Sequence, residues 1–124
     1  MNRYDPDLAP NPSEWLAFDE QERIWLAEEH HRQARVDLPN LLTHAAFHAI
    51  VENQIAENLE PVVRAMARLN AEGLSRHEAV HTIASVVAKH VHALFNAKAD
   101  ASNSQAIYNA AVERLTAKNW RSGS

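Results

Sequence analysis

The chain has 124 residues, 46% of them hydrophobic, which is the size of one compact domain around a single core, and a second domain is not expected. It has no Cys, so disulfides and thiolate ligands are excluded, and any metal site must be assembled from His and carboxylates. The net charge is −4, with Lys and Arg scattered among Asp and Glu, so there is no basic stripe and nucleic-acid binding is not expected.

The first residues, MNRYDPDLAPNPSEW, are polar and hold Pro6, Pro10 and Pro12, without the basic start and apolar run of a signal peptide. No apolar stretch approaches the roughly 18 residues a membrane span requires, so a soluble, cytoplasmic protein with no membrane partner is expected. Proline removes backbone donors and turns the preceding residue away from helix, which predicts an extended arm over residues 1–12, draped across the core. Ser13 is placed to cap a first turn carrying Trp15, Leu16 and Phe18. Asp19 and Glu22 then form a capping-box pattern for a helix over 20–35, with Ile24, Ala27, Glu28 and His31 on one face.

The segment VDLPN, 36–40, reads as a turn with Asp37 or Asn40 as cap. It leads into a helix over 41–59 whose apolar stripe is Leu41, Phe47, Val51, Ile55 and Leu59. Pro61 opens a short helix that Gly73 ends in a left-handed cap. Ser75 and Glu78 make a second capping box for a helix over 76–97. A polar break, KADASNS, precedes a last helix over 104–120, with Ser102 and Gln105 as its cap pair and Ile107, Ala110, Ala111 and Leu115 facing inward. With no strand pattern and no repeat, the chain reads as all-α: a single-domain antiparallel bundle of about five helices over 13–120, with the arm before it and a flexible tail over 121–124.

The unusual feature is eight His in so short a chain, paired at 30/31, 44/48, 77/81 and 90/92. Only His44/His48 and His77/His81 have the i, i+4 spacing that puts both rings on one helix face. At about 100° per residue, His48 and Glu52 follow His44 at about 40° and 80°, which places all three within the apolar stripe of their helix. Short loops favour antiparallel neighbours, so the end of the 20–35 helix and the starts of the 41–59 and 76–97 helices share one end of the bundle. His31, His44, His48, His77 and His81 then converge at one level. The two HxxxH pairs, about 6 Å apart within each pair, can together offer four imidazoles to one ion.

Glu52 is roughly 12 Å along the helix from His44, so one ion cannot reach both, and Glu52 is expected to orient His48 or to serve a second metal position. Imidazoles in the first turns of helices also face the positive end of the dipole, which favours the neutral, metal-binding ring. Glu28, three residues before His31, adds a Glu-x-x-His pair of the kind used in dimetal carboxylate bundles. The candidate ligand shell is therefore Glu28, His31, His44, His48, Glu52, His77 and His81. Its ion is zinc or another first-row transition metal such as Fe, Ni or Co. The same residues can instead form a buried polar network that ties helices together without an ion. His30 points about 100° away from His31 and is set aside, His90 and His92 sit at the far end of their helix, and Trp15, Trp25 and Trp120 read as core or lid aromatics.

From Pro39 to Phe95, the run with HAAFHAIVENQ, RAMARLNAEGL and RHEAVHTIASVVAKHVHALF resembles an uncharacterised family of short, all-α bacterial proteins, a domain of unknown function. The residues that carry the resemblance are His44, His48, Glu52, Gln54, His77 and His81, over about half the chain. The resemblance implies the fold and the histidine site, and the family has no activity to lend.

Three functional readings follow. A metal-binding bundle is structural if protein fills every coordination position. If one is open, water can be activated there, with Glu52 or Glu28 as base. A non-catalytic interaction module, as a homodimer, would use the histidines only as internal ties. A pH sensor would lose stability cooperatively as pH falls through about 6. No Ser or Cys nucleophile pattern and no phosphate-binding glycine loop is present, since Gly73 and Gly123 are the only glycines.

Overall fold

A computed structural model of the chain describes residues 3–33, 41–96 and 103–121. Among the described residues the protein is all-α, with seven helices and no strand: α1 (Pro12–Ala17), α2 (Glu20–Gln33), α3 (Leu41–Ala56), α4 (Glu60–Ala71), α5 (Arg76–Asn96), α6 (Ser104–Glu113) and α7 (Ala117–Arg121). None of these helices is long and apolar enough to cross a membrane. The expected turn at 36–40 with its caps Asp37 and Asn40, and Ser102 in the last cap pair, lie outside the described residues.

Local side-chain chemistry sets most of the helix ends. Asn11, not Ser13, caps α1: its side chain accepts from the Glu14 N–H at 3.1 Å, and Pro12 occupies the first helical position, where a missing N–H costs nothing. Asp19 accepts from the Glu22 N–H at 2.8 Å to open α2. Ser75 and Glu78 form the expected reciprocal box at the head of α5, with bonds of 3.1 and 3.3 Å.

The helix over 41–59 stops at Ala56, three residues early, because Asn58 adopts φ 57°. That turn lets Leu59 N–H reach the Gln54 carbonyl and Asn58 N–H the Ile55 carbonyl, closing the end of the helix. Gly73, at φ 101°, does the same for α4, with Leu74 bonding to Leu69 and Gly73 to Asn70. A Cβ at Gly73 would lie 3.3 Å from an Arg121 nitrogen as well as in the left-handed region. Gly73→Ala is therefore expected to lower stability by about 1–2 kcal/mol in urea unfolding.

The expected single helix over 104–120 is two. Arg68 of α4 donates to the carbonyls of Val112 (3.0 Å) and Leu115 (2.8 Å), satisfying the end of α6 there. A new start follows, with the Ala117 N–H bonded to Glu72 and the Asn119 N–H to the Thr116 hydroxyl. The inner face of α6 is also displaced by one residue from expectation. Tyr108 and Val112 are buried, whereas Ile107 is 56% exposed and Ala110 is exposed. The Tyr108 hydroxyl donates to Gln54 at 2.6 Å, which anchors that face on α3.

The core has two parts that meet at α3. On one side α3, α4, α5 and α6 enclose Val51, Val62, Leu69, Val80, Ile83 and Val112. On the other, the arm, α1 and α2 enclose Tyr4, Trp15, Leu26, Ala27, Ala45 and Ala49. With partners on both flanks, α3 is apolar over most of its circumference, and its polar residues are drawn inside with the rest. The arm does drape over the core, but it turns at residues 5–8 rather than staying extended, and it buries Tyr4 and Pro6. Trp15 is fully buried as expected, Trp120 is half-buried, and Trp25 is 54% exposed.

Candidate metal centre

The i, i+4 pairs sit where their helices pack. α3 presents His44, His48 and Glu52 toward the first turns of α5, which carry His77 and His81. The head of α5 is held by its capping box and by Asp7 of the arm, which accepts from the His77 N–H at 3.1 Å. Ring centroids are 4.6 Å apart for His44 and His81, 4.7 Å for His48 and His81, 4.5 Å for His77 and His81, and 5.5 Å for His48 and His77. His44, His48 and His81 each offer a nitrogen, and the three nitrogens lie within 4.8 Å of one another. They are close enough to hold one metal ion.

His81 is the centre of the cluster. Its Nε2 lies 3.2 Å from His44 Nε2 and 3.0 Å from His77 Nε2. A neutral imidazole nitrogen carries either one proton or one in-plane lone pair, so only one of these approaches can be a well-aligned hydrogen bond. The His44–His81 approach, within the converging group, is also the separation of lone pairs that share a cation: with bonds of about 2.0–2.1 Å, tetrahedral nitrogens stand roughly 3.3 Å apart. The donor set fits a zinc-like ion. His48 is fully buried, whereas His44, His77 and His81 are half-buried. A cleft of about 300 Å³ lined by His77, Glu78, His81 and Trp120 and another of about 210 Å³ that includes His44, Phe47, His81 and Trp120 leave a path from solvent to the imidazoles.

Glu52 does not join these nitrogens. Its carboxylate is 1% exposed and takes both ends of the Arg76 guanidinium at 2.7 Å each, and it also accepts from the Tyr4 hydroxyl. That engagement removes it from a second metal position and from service as a base. Its link to His48 is indirect, since Tyr4 Oη stands 3.2 Å from His48 Nδ1. His48 Nε2, also buried, makes no hydrogen bond among the described residues. Arg76 further donates to the Pro6 carbonyl at 2.8 Å, so the arm and α5 close over Glu52 together.

Of the remaining candidates, Glu28 is half-buried on α2 and is not one of the three converging residues, and the His31 side chain lies outside the described residues. His30, set aside on the sequence, does face the cluster, with its ring 5.5 Å from His77 and 6.1 Å from Tyr4. His90 ties α5 to α6 through a 2.7 Å contact with the Ser104 hydroxyl, and His92 is exposed. Tyr4 and Arg76 were not legible as site residues. The one available signal was a lone aromatic in an otherwise polar arm.

Both tyrosines of the chain are buried, Tyr4 to 1% and Tyr108 to 4% exposure. Desolvation, then the charge and hydrogen bond of Glu52, raise the Tyr4 hydroxyl well above its ordinary value, and burial pushes Tyr108 up to about 12. Arg76 is desolvated, yet its bonds to Glu52 outweigh that and hold its guanidinium above the ordinary value. For a phenol raised in the folded state, the neutral form is favoured by folding. The stability it contributes is complete below about pH 10 and is lost as pH rises from there through the folded value. Absorbance titration is expected to show no tyrosinate near pH 10 in the folded protein, and both tyrosines ionising together on alkaline unfolding.

No family model, curated protein or solved structure matches the chain.

Proposed function

We propose that the bundle binds one zinc or other first-row transition-metal ion through His44, His48 and His81, with His77 beside them as a further imidazole. The observation that carries this reading is the convergence of one nitrogen each from His44, His48 and His81 within 4.8 Å of one another, with His44 Nε2 and His81 Nε2 only 3.2 Å apart. Bound there, the ion supplies positive charge and Lewis acidity, and the chain's own residues hold and orient it. The likeness of 39–95 to the uncharacterised bacterial family belongs to the same proposal, because it rests on the same paired histidines.

A second reading has one observation in its favour, the Tyr4–Glu52–Arg76 network, which is complete without any ion. In that reading the cluster only ties the arm, α3 and α5 together, and the protein acts through its outer surface as an interaction module or homodimer. Calorimetric titration of chelator-treated protein with zinc separates the two. Uptake of close to one ion per chain, lost in His81→Ala, supports the metal centre. A folded protein that takes up none supports the network.

A further inference from the structure

The Tyr4 hydroxyl has one proton and stands between two acceptors. Glu52 is held by Arg76 through two bonds of 2.7 Å, the bidentate geometry of a charged carboxylate, so it has no proton to offer. Tyr4 therefore donates to Glu52, as its geometry indicates. What is left at the phenol oxygen is a lone pair, and it lies 3.2 Å from His48 Nδ1. That contact is a hydrogen bond only if Nδ1 carries the imidazole proton. In neutral His48 the lone pair is then on Nε2, the other ring nitrogen.

We infer that Tyr4 is a positioning residue of the metal centre: by accepting from His48 Nδ1–H while its own hydroxyl donates a hydrogen bond to Glu52, it fixes the tautomer that presents Nε2 to the ion. The inference rests on the metal reading and extends it to the N-terminal arm. The surroundings support the assignment. The Tyr4 ring is clamped against Trp15 and His48 at centroid distances of 5.5 and 6.0 Å, so the hydroxyl has a fixed address. The arm is fastened on either side of the site, by the Pro6 carbonyl to Arg76 and by Asp7 to the His77 N–H. A hydrogen-bond acceptor on the non-ligating nitrogen, often a carboxylate, is the usual means of fixing a histidine ligand and raising its basicity, and here the Tyr4 hydroxyl is that acceptor with Glu52 behind it.

The experiment compares wild-type protein with Tyr4→Phe, which keeps the ring and removes the hydroxyl. In chelator-treated wild type, ¹⁵N–¹H correlation spectra of the imidazoles are expected to show His48 as the Nδ1–H tautomer, and Tyr4→Phe is expected to lose that preference. The zinc affinity of Tyr4→Phe is expected to fall about 10- to 100-fold. A His48 that is protonated on Nε2 in the wild type overturns the inference, whether or not Tyr4→Phe folds and whether or not zinc binds. So does an unchanged zinc affinity in a folded Tyr4→Phe protein, which leaves the metal reading standing. If neither protein takes up zinc, the metal reading fails separately, and the tautomer spectrum still decides what Tyr4 does to His48.

Discussion

Arg76→Ala is expected to destabilise the protein by about 3–5 kcal/mol, the range for removing one partner of a buried ion pair. Glu52 is 1% exposed and the Arg76 side chain 13%, so water cannot replace the lost guanidinium at the carboxylate, and only the Tyr4 hydroxyl remains. Against a typical total of about 5–15 kcal/mol, that loss is a large fraction of the stability. Urea unfolding should show the midpoint falling with the slope unchanged. The double variant Glu52→Leu, Arg76→Met should recover most of the loss, because it removes both charges and fills the space with apolar groups. A loss below about 1 kcal/mol in Arg76→Ala would place the pair with solvated surface bridges instead.

The second large effect is that of the ion. An ion that binds only the folded chain stabilises it by about 2.7 kcal/mol at a free concentration 100 times its dissociation constant. For a chain of this size that corresponds to a rise of roughly 10 °C in melting temperature, reversed by chelator. His81→Ala should abolish the rise. The same variant separates the two readings without metal. If the histidines form a satisfied network, His81→Ala leaves buried groups unbonded and lowers the stability of the chelated protein by about 1–3 kcal/mol. If they are arranged for a cation, removing the most crowded nitrogen leaves the chelated protein as stable as before, or more so.

Much of this arrangement was legible because it obeys local rules. Ser75 with Glu78, Gly73 after Glu72, and Asp19 before Glu22 mark helix ends by bonds within a few residues. Once the ends of α3 and α5 are known, the i, i+4 spacing of His44/His48 and His77/His81 puts each pair on one face, and the alternation of direction through α4 brings the heads of α3 and α5 to the same end. What was not legible depends on distant contacts. Tyr4 meets residues 44 and 48 positions away, and Arg76 meets Glu52 across 24. The break between α6 and α7 follows from Arg68 of α4, far away in sequence. For His30 the difficulty was rotation. The apolar residues of α2 are too few and too scattered to define one inner face, so neighbouring side chains about 100° apart could not be ranked. The same ambiguity displaced the inner face of α6 from Tyr108 to Ile107.

The most direct measurement is the metal content of untagged protein, by elemental analysis, for wild type beside His48→Ala, His81→Ala. Close to one transition-metal ion per chain in the wild type and almost none in the variant is the expected result. No metal in wild-type protein purified from metal-replete cells, with the fold intact, would contradict the metal centre and leave the histidines as a polar tie between α3 and α5.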